Sequence, residues 1–203
     1  MIRNLLFDMG EVLLRFEPET FLARLDLAPE DRALLGREVF RSVEWVELDR
    51  GTLDDEAAIA SMCLRVPERL HGAVRELVSH WDEPRLPVPG AYELVETLSQ
   101  KGYGLYLLTN AALRHRRYWP KQPVAEFFGG RVMLSADWKL LKPDPEFFET
   151  ALRLFSLDRH ECLFIDDSPM NVAAAVRQGI EGLVFHGDMA LLREQLRERG
   201  VDC

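Results

Sequence analysis

The chain of 203 residues is poor in cysteine and contains no long apolar run. Its three cysteines form no Cys-x-x-Cys pair, which excludes a regular disulfide framework and suits free thiols in a reducing compartment. No stretch reaches the roughly 18 apolar residues of a membrane span. The run Leu5-Leu6-Phe7 is too short for the core of a signal peptide. We therefore expect a cytoplasmic protein with no membrane partner.

Positive charge is also scarce, because 25 Lys+Arg stand against 34 Asp+Glu, giving a formal net charge of −9. A nucleic-acid partner needs a basic footprint, so this class of partner is excluded. With 47% hydrophobic and 29% charged residues, the chain is able to bury a core and stay soluble. Its length suits one domain with a modest insertion.

Five short apolar segments predict the strands of a parallel sheet that is covered on both faces. They are residues 2–8, 105–109, 132–135, 162–166 and 183–186. Helical patterns separate the later segments, at 91–98, 147–155 and 172–180. Alternation of this kind predicts an α/β fold with a doubly wound, Rossmann-like parallel sheet.

One stretch interrupts the alternation between the first two predicted strands. Residues 17–83 carry amphipathic helical patterns and no strand pattern, and Pro84, Pro87 and Pro89 follow as a stiff linker. About 67 residues suffice for a small helical bundle. The sequence therefore predicts an α/β core made of residues 1–16 and 86–203, with a small inserted all-helical cap at 17–85.

Polar side chains lie where three of the predicted strands end. Asp8 follows the first strand, Thr109 and Asn110 end the second, and Asp166 and Asp167 end the fourth. Each of these is ordinarily a helix cap or a turn residue. In open α/β sheets, however, ligands bind beyond the carboxyl ends of the strands, so we expect these side chains to form one site.

The chemistry of that site follows from its charges. Three carboxylates in contact repel one another and need compensation, which an oxygen-liganded Mg²⁺ would supply. The Thr109 hydroxyl and Lys142, which lies in a loop before a helix, would hold an anion beside the metal. These groups are the ones that phosphoryl transfer requires, and in that reaction a carboxylate is able to act as the nucleophile.

Four motifs carry a resemblance to a known family. They are FDMGEVL around Asp8, LLTN around Thr109, LLKPDPEFF around Lys142 and FIDDSPMN around Asp166 and Asp167. With these motifs the chain resembles the haloacid dehalogenase-like (HAD) hydrolase superfamily over nearly its whole length. More narrowly, the chain looks like bacterial sugar phosphatases of the glucose-1-phosphate phosphatase type in the segments FDMGEVL, WVELDRGTLDDEA, LLTNAALRHRRYWP and FIDDSPMN.

The resemblance implies a role for each acidic motif residue. Asp8 is the nucleophile that attacks phosphorus. Asp8, the backbone carbonyl of Gly10 and Asp167 bind Mg²⁺. Asp166 is a further metal ligand or supports the ligands, and Asn171 supports them from nearby.

The same resemblance implies how substrate is held. Thr109 and the Asn110 amide bind phosphate oxygens at a helix N-terminus, and Lys142 offsets the charge of Asp8 and the phosphate. Apart from the resemblance, residues 113–117 on a presumed helix are either a solvated basic face or bring His115, or an arginine next to it, to substrate at the cap interface. Trp45 in the cap is a candidate for contact with a sugar ring, as are its neighbours Asp49 and Arg50, and packing inside the cap is the alternative for Trp45.

One position departs from the pattern of most phosphatases in the superfamily. Gly10 stands where they have a second Asp, two residues after the nucleophile, that serves as general acid and base. Such help contributes about 10²–10⁴-fold in rate. The sugar phosphatases that the chain resembles have the same glycine. We hypothesise that a sugar 1-phosphate, with its acidic anomeric leaving group, depends less on a proton donor. Glu11 is either a substitute acid or a solvated loop carboxylate.

The sequence thus predicts a Mg²⁺-dependent phosphatase acting on a small phosphorylated metabolite, with a sugar phosphate such as glucose 1-phosphate as the expected substrate. A 2-haloacid dehalogenase, which uses no metal, is one alternative, and the Asp166-Asp167 pair argues against it. A non-catalytic binding or regulatory module on the same scaffold is another, supported only by Gly10. The sequence does not decide between a monomer and a homodimer.

Overall fold

The computed structural model describes residues 1–80 and 86–203, and its centre is a five-stranded sheet. The strands pair in the order β3-β2-β1-β4-β5, and every pair is parallel. They are β1 (Asn4–Phe7), β2 (Gly104–Thr109), β3 (Val132–Leu134), β4 (Cys162–Asp166) and β5 (Glu181–Val184). The predicted α/β fold with a doubly wound parallel sheet is confirmed.

The last strand lies two residues earlier than its apolar pattern predicted. It begins at Glu181, and Val184 pairs with Asp166 at its end. A Cβ at Gly182 would lie 2.6 Å from Cγ1 of Val172, so the strand approaches the preceding helix closely at this glycine. The sequence pattern missed this start because neither Glu181 nor Gly182 is apolar.

In the described part of the chain, six α-helices lie between β1 and β2, and five follow β2. The first five are α1 (Pro18–Ala23), α2 (Pro29–Leu35), α3 (Val43–Arg50), α4 (Asp55–Cys63) and α5 (His71–His80). The others are α6 (Ala91–Gln100), α7 (His115–Tyr118), α8 (Ser135–Trp138), α9 (Pro145–Phe155), α10 (Pro169–Arg177) and α11 (Met189–Glu198). In the described part of the chain, none is long and apolar enough to cross a bilayer.

The helices α1–α5 form the helical insertion that the sequence predicted. One apolar cluster runs from Leu5 and Phe7 in the sheet to Val39 and Met62 in the insertion, so the two parts share a continuous core. The boundaries at 16/17 and 85/86 stay a prediction. Pro84 of the predicted linker and the last residues of the predicted cap lie outside the described residues.

The insertion meets the sheet through a close backbone contact. Gly51 ends α3 with a φ of +74°, and a Cβ there would lie 2.3 Å from the carbonyl oxygen of Ala136. The Ser135 hydroxyl, wholly buried, donates a hydrogen bond to the Asp49 carbonyl at 2.5 Å. These contacts hold the C-terminal end of α3 over the carboxyl ends of the strands.

Candidate active site

The sheet register brings three strand ends to one level. β1 lies between β2 and β4, and Phe7 pairs with Leu107 on one side and Ile165 on the other. Asp8 follows directly, and its backbone N–H donates to the Ile165 carbonyl at 2.9 Å. The side chains after these strands therefore meet at one edge of the sheet, as the sequence predicted.

Lys142 is the cation at the centre of the site. Its Nζ lies 2.8 Å from Oδ1 of Asp8, 2.7 Å from Oδ2 of Asp166 and 2.9 Å from the Leu108 carbonyl oxygen. The side chain is 1% exposed. An ammonium has three N–H donors, so these three acceptors account for all of them.

The carboxylates of the site outnumber this cation. Asp8, Asp166 and Asp167 each offer an oxygen, and these oxygens all lie within 4.8 Å of one another. Burial raises the pKa of Asp8 to about 6, with Lys142 lowering it and Asp166 raising it further. Burial and the Asp166 charge also raise the pKa of Asp167. A close set of oxygen donors with excess negative charge is what Mg²⁺ requires, so the residues fit that ion.

The two adjacent aspartates have different surroundings. Asp166 is wholly buried, and besides Lys142 it accepts hydrogen bonds from the Ser168 backbone N–H at 2.8 Å and from Nδ2 of Asn171 at 3.1 Å. Asp167 instead lines the cavity beside Asp8. This geometry favours Asp167 over Asp166 as a direct ligand, while Asp166 holds the lysine and the turn.

A cavity of about 220 Å³ opens above these groups. Residues at the strand ends line it from below, and Trp45 and Asp49 of the insertion and Phe16 of the loop after β1 also line it. The remaining lining residues are Asp8, Met9, Gly10, Glu11, Thr109, Asn110, Ala111, Lys142, Asp167 and Asn171. Trp45 lines the cavity and also packs against Phe40, with ring centroids 4.9 Å apart, and its contact with a sugar ring stays a prediction.

His115 is a correction to the predicted site. It is 2% exposed, its Nδ1 lies 3.0 Å from the Tyr118 hydroxyl, and its ring stacks on Trp119 with centroids 5.5 Å apart. It is not among the described residues that line the cavity. The expected helix directly after Asn110 is absent as well. The chain is irregular there, and α7 begins only at His115, which turns this side chain into the core.

Glu11 lines the cavity, and its carboxylate is also hydrogen-bonded within the chain. Its role as a substitute acid stays a prediction. Its backbone has a φ of +55°, and its carboxylate accepts a hydrogen bond from the Phe16 backbone N–H. Its backbone N–H donates to the Leu14 carbonyl at 2.8 Å. Glu11 therefore shapes the loop that brings Phe16 to the cavity, a role with no periodic signal in the sequence.

Asn110 lies in the cavity wall, but its side chain contacts the chain at Lys142. Its Oδ1 accepts from the Lys142 backbone N–H at 2.9 Å, and its Nδ2 donates to the Lys142 carbonyl at 2.9 Å. Thr109 is buried, and it also lines the cavity. The reciprocal pair at Asn110 was not predicted from the sequence.

Comparison with known proteins agrees with this geometry. A model of the haloacid dehalogenase-like hydrolases matches residues 2–179. The chain belongs to this family. Flavin mononucleotide hydrolase 1 of Arabidopsis thaliana is 25% identical over 162 residues, which are 78% of this chain and 62% of that protein. The chain thus spans less than two thirds of that relative. A phosphoglycolate phosphatase of Haemophilus influenzae is 26% identical over 88% of this chain and 84% of its own length.

Solved structures share the fold at lower identity. A HAD-family enzyme from Bacteroides thetaiotaomicron, in complex with magnesium and inorganic phosphate, is 24% identical with a TM-score of 0.67 and covers 95% of this chain and 99% of that chain. An L-2-haloacid dehalogenase from Xanthobacter autotrophicus is 17% identical with a TM-score of 0.64, covering 97% of this chain and 83% of that chain. Family membership makes this chain a haloacid dehalogenase-like hydrolase, whereas the named phosphatase activity is that of the relative.

Proposed function

We propose that the protein is a Mg²⁺-dependent phosphatase that hydrolyses a small sugar phosphate through a phosphoryl intermediate on Asp8. One observation carries the proposal. Asp8 stands in the cavity at the end of the central strand, bonded to Lys142 and grouped with two further carboxylates. A nucleophilic carboxylate beside a site for a divalent cation is the arrangement that phosphoryl transfer uses.

The proposed reaction has two displacements at phosphorus. An Asp8 carboxylate oxygen attacks phosphorus, and the bond to the leaving oxygen breaks with its electron pair going to the leaving group. Water then attacks the same phosphorus and the bond from phosphorus to the Asp8 oxygen breaks, which releases inorganic phosphate and restores the Asp8 carboxylate. The leaving oxygen takes a proton from solvent, and the attacking water gives one back to solvent. Lys142 keeps Asp8 oriented through its 2.8 Å hydrogen bond.

Asp8, Asp167 and the Gly10 carbonyl would hold Mg²⁺, with Asp166 and Asn171 supporting them. When bound, the ion neutralises charge on the phosphoryl oxygens. The Thr109 hydroxyl and backbone N–H groups after β2 would bind those oxygens, because all three donors of Lys142 already have partners.

The size and charge of the cavity favour a substrate whose leaving group is small and neutral. Its volume of about 220 Å³ is below the ~300–1,000 Å³ typical of pockets for larger ligands. The aromatic faces of Phe16 and Trp45 suit a sugar ring. Among the described lining residues, Lys142 is the one cationic side chain, so a second anionic group on the substrate lacks a counter-ion there. These features favour a sugar monophosphate such as glucose 1-phosphate over flavin mononucleotide or phosphoglycolate.

A substrate panel tests the proposal. Hydrolysis of glucose 1-phosphate, glucose 6-phosphate, phosphoglycolate, flavin mononucleotide and an aryl phosphate would be measured with Mg²⁺ and with chelator. We expect metal-dependent turnover with the highest kcat/KM on the sugar 1-phosphate. Turnover that persists in chelator would reject the phosphatase mechanism. Equal or better turnover of the 6-phosphate would reject the argument from the leaving group.

A further inference from the structure

The position of the Lys142 ammonium depends on a loop. Lys142 lies between α8 and α9, in a segment with no helix or strand of its own. Its ammonium nevertheless has to reach Asp8, Asp166 and the Leu108 carbonyl together, at 2.7–2.9 Å. Something must therefore fix the backbone from which this side chain extends.

Asn110 contacts that backbone at both of its polar groups. One amide side chain accepts from the Lys142 N–H and donates to the Lys142 carbonyl, each at 2.9 Å, in the manner of a neighbouring strand. The two residues are 32 positions apart in the chain. Backbone polar groups in a partly buried loop need partners, and here a single side chain supplies both.

Asn110 itself extends from a firmly held segment. Thr109 ends β2 in register with Leu134 of β3, and the Ala111 backbone N–H donates to the wholly buried Ser135 hydroxyl at 2.8 Å. The residues before and after Asn110 are thus both hydrogen-bonded at the edge of the sheet, which fixes the backbone from which its side chain extends. The Asn110 amide transmits that fixed position to the lysine loop.

We propose that Asn110 is a positioning residue that sets the Lys142 ammonium between Asp8 and Asp166, and that its side chain does not bind the phosphoryl group. The proposal rests on the proposed function for its kinetic consequence. It assigns neighbouring residues different roles, since Thr109 would bind phosphate whereas the Asn110 side chain would act only through Lys142.

A double-mutant cycle tests this division. We expect Asn110→Ala to lower kcat about 10–100-fold, as loss of an orienting partner does, with KM changed by less than about threefold. In a Lys142→Met background the same change should cost less than about twofold, because its target is gone. Thr109→Ala is the matched comparison, and it should raise KM and the inhibition constant of inorganic phosphate.

Two results would overturn the proposal. One is a rise in KM and in the phosphate inhibition constant for Asn110→Ala with kcat unchanged, which indicates direct phosphate binding. The other is full multiplicative loss in the double variant, which indicates a role independent of the lysine. Where Lys142→Met does not fold, Lys142→Gln serves as the background, since it also removes the ammonium and keeps a polar side chain.

A second readout separates this proposal from the proposed function. Calorimetric titration of Mg²⁺ needs no turnover, and Lys142 competes with a cation for Asp8. Lys142→Met should tighten Mg²⁺ binding, Asn110→Ala should shift it the same way, and the double variant should match Lys142→Met. If wild type fails to hydrolyse phosphate esters, the proposed function falls while this cycle still decides the role of Asn110. Additive shifts in Mg²⁺ affinity would contradict the positioning role.

Discussion

Two places in the molecule set one cation between two carboxylates. In the active site, Lys142 joins Asp8 and Asp166. In the insertion, the Arg65 guanidinium donates to both oxygens of Glu44 at 2.7 Å and to Glu38 at 2.8 Å. The lysine side chain is 1% exposed and the arginine side chain 37%.

The two clusters shift acid pKa values in opposite directions. The hydrogen bond from Arg65 lowers the pKa of Glu44 to about 2, against the effect of burial. Burial raises the pKa of Asp8 to about 6 despite its hydrogen bond to Lys142. The pKa of Asp8 differs because its burial is the largest effect and because the Asp166 charge lies beside it. Asp167 adds a third carboxylate to the site. A satisfied cluster stabilises a fold, whereas one with surplus negative charge is suited to recruit a cation.

The largest expected difference between the clusters is in activity. Asp8→Asn removes the nucleophile and should lower phosphatase kcat by at least ~10³-fold. Glu44→Gln makes the same chemical change on a buried acid of the insertion and should leave kcat within about twofold. Steady-state hydrolysis of an aryl phosphate measures both. An active Asp8→Asn enzyme would remove the proposed mechanism.

Removal of the two cations should separate the clusters by stability. Lys142→Met leaves Asp8 and Asp166 facing each other without a counter-ion and should cost roughly 3–5 kcal/mol of unfolding free energy in chelator. Added Mg²⁺ should restore part of that loss. Arg65→Met should cost roughly 1–3 kcal/mol, because Glu44 stays buried and unpaired, and Mg²⁺ should restore none of it. Urea unfolding with and without Mg²⁺ measures the unfolding free energy of both variants. An equal effect of Mg²⁺ on the two variants would contradict the difference between the clusters.

A further carboxylate beside Asp8 should raise the activity of the site and so widen its functional difference from the Arg65 cluster. A Cβ at Gly10 would have Asp8 Oδ2 as its nearest neighbour, at 3.9 Å, so Gly10→Asp adds an acid without a steric clash. Acid–base help should raise kcat about tenfold or more on alkyl phosphates. The gain should be smaller on an aryl phosphate with a good leaving group. A loss on both substrates would show that the site does not accommodate the second acid.

The smallest expected effect is the pH dependence of the insertion. The folded-state pKa of Glu44 lies below its ordinary value of 4.5, so the ion pair stabilises the fold above about pH 4.5. This contribution declines as pH falls toward about 2. The difference in unfolding free energy between wild type and Glu44→Gln should be constant from about pH 7 to 5 and shrink below that. A difference that grows on acidification would contradict the assignment.

Local sequence patterns predicted the strands and the residues at which they end. Strand ends at Asp8, Thr109 and Asp166 follow from apolar runs that stop at a polar residue, and the topology of parallel sheets then places them together. The bonds from Asn110 to Lys142 and from Ser135 to Asp49 join positions 32 and 86 apart, and no local signal records such contacts. His115 was misplaced because the resemblance implied a helix N-terminus at Asn110, whereas the chain runs irregularly until α7 begins at His115.

The central claim is that the surplus carboxylates of the site, and not those of the insertion, bind a divalent cation. Calorimetric titration of Mg²⁺ into wild type, Asp167→Asn and Glu44→Gln tests it most directly. The account predicts one Mg²⁺ per chain, binding weakened about 10–100-fold or more in Asp167→Asn, and wild-type affinity in Glu44→Gln. Absence of binding in wild type, or equal weakening in the two variants, would contradict it.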